Sequence, residues 1–101
     1  MNAMQDIRPE NTVRASLRQM SAELAGESVV LNFDDGMYYS LNPIGARIWE
    51  LIQDPHKVSD LLATIVSEYD VDTARCEADV IALLAEMRGM RLVEVQDAAG
   101  P

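Results

Sequence analysis

Residues 28–49 constrain the fold more tightly than any other part of the chain. Val29, Leu31 and Phe33 alternate with Val30 and Asn32, which is the two-residue period of a half-buried strand. Asp34-Asp35-Gly36 follows, and then Met37, Tyr38, Tyr39, Ser40 and Leu41 alternate again. Two such runs joined by a short turn rich in Asp and Gly predict an antiparallel hairpin. Its register can be argued from the faces. A two-residue loop sets Leu31 opposite Ser40 and Asn32 opposite Tyr39. A three-residue loop sets Phe33 opposite Met37, Leu31 opposite Tyr39 and Val29 opposite Leu41, which gathers the apolar residues on one face. Gly36 then occupies the last loop position, where left-handed backbone is needed and costs glycine nothing. The three-residue register is therefore expected, with Val30, Asn32, Tyr38 and Ser40 on the other face.

Asn42-Pro43 switches the chain from strand to helix. Asn is a good N-cap, and Pro is tolerated in a first turn whose N–H groups have no helical partner. Ile44, Ile48, Leu51 and Ile52 form a stripe at helical spacing, with Trp49 beside it as a packing residue. Gly45 allows close approach of this helix to the sheet, and Asp54-Pro55 ends it. Val58, Leu61, Leu62, Ile65, Val66 and Tyr69 mark a second amphipathic helix. A third is expected from Thr73 to about Arg88, capped by Asp72, striped by Cys76, Val80, Leu83, Leu84 and Met87, and terminated by Gly89. Residues 92–95 supply a short strand or a segment that packs back.

Ahead of the hairpin, Val13, Ala15 and Leu17 alternate, as do Met20, Ala22 and Leu24, which predicts a first strand ending near Leu24 before an Ala25-Gly26 turn. The fold class expected is α+β: a three-stranded antiparallel sheet followed by three helices, arranged as a winged helix-turn-helix. Residues 1–13 read as a flexible N-terminal arm, 14–95 as the folded domain and 96–101 as a C-terminal tail.

With 101 residues there is room for one core. Seventeen acids against eight bases give a net charge of −9, which opposes nonspecific binding to nucleic acid. The single cysteine, Cys76, cannot form an internal disulfide or a cysteine-based zinc cage. The longest apolar run, residues 80–85, is far shorter than the roughly 20 residues that span a bilayer. A reducing cytoplasmic setting is expected, with no membrane partner. One histidine, His56, and one cysteine leave little from which to assemble a nucleophile and base. Asp70, Asp72, Glu77 and Asp79 lack the Gly and final Glu of a calcium loop. No enzyme activity, cofactor or metal site is expected.

Leu31, the run Gly36-Met37-Tyr38-Tyr39-Ser40-Leu41-Asn42 and the run Gly45-Ala46-Arg47-Ile48-Trp49 resemble the PqqD-like family. Val58-Ser59-Asp60-Leu61-Leu62, Glu68-Tyr69-Asp70-Val71 and Leu83-Leu84-Ala85-Glu86-Met87 continue the resemblance, which covers residues 14–95. It implies a RiPP recognition element. Such a domain is a non-catalytic adaptor that binds the leader segment of a ribosomally made precursor peptide and presents it to a modifying enzyme or leader peptidase. It also implies that the leader adds as a strand along residues 37–41, above a groove floored by the third helix. Carried onto this chain, the peptide-binding residues are Met37, Tyr38, Tyr39, Ser40 and Leu41 on the edge, with Val80, Leu84 and Met87 on the helix. Arg88 is a further candidate, as a cation for acids of the leader, though its place near the helix C-terminus is equally explained by the helix dipole. Family members dedicated to pyrroloquinoline quinone synthesis carry a Pro-Glu pair where this chain has Asp34-Asp35-Gly36. The pattern here looks more like the stand-alone chaperones of lasso-peptide clusters.

Physical chemistry independently favours such a site. Residues 37–41 hold no Pro, Lys or charge, the devices that usually blunt an exposed edge. An open edge accepts a strand through its backbone groups. Two other classes compete. A winged helix also suits a DNA-binding regulator, but the third helix sets Arg75 and Arg88 against Glu77, Asp79 and Glu86 and would repel phosphate. A dimerisation module would pair the edges of two copies, so the expected state is a monomer or weak homodimer.

Overall fold

The two alternating stretches ahead of the hairpin join different sheets. The computed structural model describes residues 7–16, 19–24, 27–32 and 36–96. The elements in order are β1 (Thr12–Ala15), β2 (Gln19–Leu24), β3 (Glu27–Asn32), β4 (Tyr38–Leu41), α1 (Pro43–Leu51), β5 (His56–Lys57), α2 (Val58–Glu68), α3 (Thr73–Gly89) and β6 (Val93–Gln96). The fold is α+β, with three helices and antiparallel sheets. The three expected helices are present at nearly the expected bounds. The single strand expected up to Leu24 is instead two, β1 and β2, and the single sheet is two sheets ordered β2-β3-β4 and β5-β1-β6.

The second sheet corrects the expectation of a flexible arm (residues 1–13) for residues 7–13; residues 1–6 lie outside the described residues. Ile7, Asn11 and Val13 are buried. Thr12 and Val13 pair with both β5 and β6. Ala15 N–H donates to the Ile52 carbonyl at 2.7 Å, which ties β1 to the end of α1. Residues 8–11 also serve α2. That helix begins after Lys57 with no side-chain cap. Its orphan N–H groups donate instead to main-chain carbonyls of the N-terminal segment, Val58 to Asn11 at 2.8 Å and Ser59 to Pro9 at 2.9 Å. The buried Asn11 side chain accepts from Arg8 N–H at 2.8 Å and so holds that turn. His56 lies in β5, and Gln96 closes β6 rather than opening a tail.

The helices enclose the core. Ile48, Ile52, Leu61, Ile65, Leu84, Met87 and Leu92 are fully buried, with Val13 from β1 and Val30 from β3. Each such side chain contributes roughly 1.5–3 kcal/mol. Trp49 is buried among them, as its place beside the stripe requires. On the surface, Arg47 of α1 makes paired hydrogen bonds to Glu68 of α2 at 2.8 Å, which hold the Glu68 carboxyl below its usual range.

The hairpin differs from both registers considered. Val30 pairs with Tyr39 and Leu31 with Tyr38. Gly36 N–H donates to Asn32 at 2.9 Å, so four residues, 33–36, form the loop. Gly36 has φ +71°, the left-handed conformation foreseen for it, and is still the last loop residue, now the fourth instead of the third. Phe33 and the Asp34-Asp35 pair lie outside the described residues, as does the Ala25-Gly26 turn. The shift keeps the expected faces of β4 and inverts those of β3. Val30 and Asn32 now share the α3-facing side with Tyr39 and Leu41. The physical reason is Asn32. Its buried amide donates to the Met90 carbonyl at 2.8 Å, satisfying a group left open at the end of α3. A polar residue belongs on this inner face because a helix end needs it there.

Helix α3 ends at Gly89, but Gly89 is not the left-handed residue that its expected terminating role implies. Arg91 takes the left-handed position at φ 63°. Leu92 N–H then returns to the Met87 carbonyl at 2.9 Å and Arg91 N–H to Arg88 at 3.0 Å, the pattern of a Schellman ending.

A candidate peptide-binding edge and groove

Strand β4 is the last in its sheet, and among the described residues nothing pairs with its outer edge. Asn32 N–H donates to the Met37 carbonyl at 2.8 Å, which marks these two as a hydrogen-bonded pair. Antiparallel ladders alternate such pairs, so Tyr39 and Leu41 bond to β3. The N–H and C=O groups of Tyr38 and Ser40 therefore point away from the sheet. Among the described residues, Met37 and Tyr38 are the exposed large apolar ones, 58% and 64% accessible. Ser40 is exposed, Tyr39 is half-buried and Leu41 is buried.

Beyond this edge lies one face of α3. The Tyr39 hydroxyl crosses from strand to helix and donates to the Glu86 carboxylate. Burial first, and then the bond to Glu86, push the Tyr39 phenol up to about 12. Further along, Gly45 brings three elements together. A Cβ placed there would lie 3.5 Å from the Leu41 side chain and 3.6 Å from that of Leu83. It would also crowd the Asn42 cap oxygen, which accepts from Gly45 N–H at 2.7 Å. Gly45 therefore permits the close approach that its position implied. At the far end, Ile44, Val71, Asp72, Arg75, Cys76, Asp79 and Val80 line a pocket of about 210 Å³. The Cys76 thiol is raised by burial and then by Asp79, so it is a packing residue rather than a nucleophile.

The five edge residues named from the sequence lie together on or beside β4. The helix residues are corrected in part. Leu84 and Met87 are wholly buried in the core and do not face the groove. Val80 is 2% exposed and contributes only to the pocket wall. Arg88 is half-buried. The groove side of α3 is the adjoining row of Arg75, Asp79, Leu83 and Glu86. Sequence reasoning placed Leu83 in the core stripe and missed Asp79 and Glu86 as groove residues. Two adjoining rows of one helix, about 100° apart at 3.6 residues per turn, carry the same period, and only the placement of β4 separates them.

Among the described residues no group of His, Cys, Asp and Glu is placed to hold a metal. No described helix is long and apolar enough to cross a membrane. The arrangement offers backbone donors and acceptors, an apolar pocket and one carboxylate held by a phenol. That is equipment for holding an extended chain.

Comparison with known proteins agrees with this geometry. Residues 27–93 match the family described as coenzyme PQQ synthesis protein D (PqqD). A search of curated proteins gives no match. Among solved structures, the chain is similar to TbiB1 in complex with the TbiA(beta) leader peptide, at 30% identity and a TM-score of 0.72, covering 80% of this chain and 94% of that one. It is also similar to a lasso peptide synthetase B1 complexed with the leader peptide, at 26% identity and a TM-score of 0.71, covering 81% and 96%. The family match spans the β3–β4 hairpin, all three helices and the start of β6, and on that basis the chain belongs to the PqqD family.

Proposed function

We propose that this chain is a non-catalytic adaptor that binds the leader segment of a ribosomally made precursor peptide and presents it to a separate modifying enzyme or leader peptidase. The observation that carries this reading is the uncharged, unpaired edge of β4 beside the groove face of α3. The similarity to two proteins solved with leader peptides supports it. The leader adds as a strand, its backbone bonding to Tyr38 and Ser40 and alternate side chains turning toward Tyr39, Leu83 and the pocket at Ile44. Met37 and Leu41 bound the strand, and Val80 flanks the groove at the pocket wall. The α2–α3 pair with its flanking sheets is read as a winged helix-turn-helix turned to peptide binding. A buried, unactivated Cys76 suits a reducing cytoplasm.

Fluorescence polarisation tests the reading. Labelled N-terminal segments of short reading frames encoded beside this gene are titrated with the protein, and labelled duplex DNA is titrated in parallel at low salt. Saturable binding of one peptide and none of DNA is expected. Binding of DNA alone contradicts the proposal. Ser40→Pro refines the test. Ser40 N–H points outward, so Pro removes a donor from the peptide's side and none from the β3 ladder. The variant is expected to fold, as judged by circular dichroism, and to lose peptide binding.

A further inference from the structure

Glu86 stands on the groove side of α3 and is exposed. Its described contact is the Tyr39 hydroxyl, a neutral donor. Asp79, in the same row of α3, has a cation at hand, Arg75 at 3.8 Å, and elsewhere Arg47 pairs with Glu50 and Glu68 and Arg14 with Glu94. Among the described residues no Lys or Arg pairs with Glu86. A carboxylate offers about four acceptor sites, of which the phenol takes one. Tyr39 also fixes where the charge sits, because the strand that carries it is the strand on which a peptide adds.

We propose that Glu86, oriented by Tyr39, is the specificity-determining carboxylate of the groove, and that the bound peptide sets a Lys or Arg side chain against it. This rests on the peptide-adaptor reading and names the chemistry of its ligand. A strand added to β4 lies about 4.8 Å beyond it and turns alternate side chains toward α3. The side chain beside Tyr39 then comes to Glu86, where an ammonium or guanidinium is attracted and a carboxylate repelled. The net charge of −9 adds a long-range pull on the same kind of peptide. The pocket at Cys76 and Val80 supplies a second reference point. From its middle to Glu86 the helix rises roughly 12 Å, about four residues of extended strand. An apolar residue and a basic one, four apart and on one face, are the pattern the groove fits.

An array of overlapping peptides from the neighbouring reading frames tests this, with each position replaced in turn by Lys, Gln and Glu. It is probed with the parent protein and with Glu86→Gln, which keeps an acceptor for Tyr39 and removes the charge. One Lys or Arg in each binding peptide is expected to matter: Gln there weakens binding about three- to tenfold at low salt, and Glu weakens it further. Glu86→Gln is expected to erase that preference and keep the rest of the binding pattern. Peptides that bind but show the same preference with both proteins, or no basic preference, overturn the assignment of Glu86 and leave the adaptor reading standing. An array with no binding peptide overturns the adaptor reading and this inference with it.

Discussion

Tyr39 shows how one residue links sheet, helix and site. Its ring is half-buried on the α3 side of β4 and its hydroxyl is spent on Glu86. The neutral phenol is favoured in the fold, so its pKa rises from 10.0 to about 12. Linkage gives the sign. The folded state holds the proton more tightly, so this contribution to stability is complete below pH 10 and is lost as pH rises toward 12. An alkaline absorbance titration is expected to show a tyrosine step near pH 12, and Tyr39→Phe is expected to remove it. The aromatic character of Tyr39 on a strand was legible in the sequence, as was its inward face. Its partner was not, because nothing in the spacing of residues 39 and 86 announces a contact across 47 positions. The same limit applies to Leu84 and Met87. Periodicity marks a residue as apolar and inward but does not say whether inward means core or groove.

At the scale of elements, the helices were legible nearly in full and the strands less so. Asn42 and Asp72 act as the caps their chemistry implies, accepting from Gly45 and Arg75 N–H. The failures share one cause, which is that the chain satisfies backbone groups by distant pairing. Asn32 turned inward to reach Met90, and that moved the hairpin register by one. Residues 8–11 looked irregular because their task is to cap α2 with carbonyls, a role with no residue preference. Cutting residues 1–11 removes Ile7 from the core and leaves the first turn of α2 open. A loss of about 3–5 kcal/mol is expected, a large share of a small domain's stability, and urea unfolding measures it. The end of α3 offers the opposite change. Arg91 is exposed and holds left-handed backbone at φ 63°, which glycine adopts without penalty. Arg91→Gly is expected to raise stability by about 0.5–1 kcal/mol after the extra freedom of the unfolded chain is counted. The urea midpoint should rise with an unchanged slope.

At the scale of the whole molecule, the two sheets and three helices among the described residues leave the uncharged edge of β4 open and place an apolar pocket and a carboxylate beside it. Net negative charge excludes phosphate backbones from the helix that a DNA-binding winged helix would use. What remains is a surface for an extended peptide. Backbone amide exchange tests that claim most directly. In the free protein, Tyr39 and Leu41 amides bond to β3 and are protected, while Tyr38 and Ser40 amides face solvent and exchange quickly. When a peptide found by polarisation is bound, slow exchange is expected to appear at Tyr38 and Ser40 and to change little at Tyr39 and Leu41. If the peptide binds while Tyr38 and Ser40 exchange as fast as before, it does not add as a strand to β4, and the account of the site is wrong.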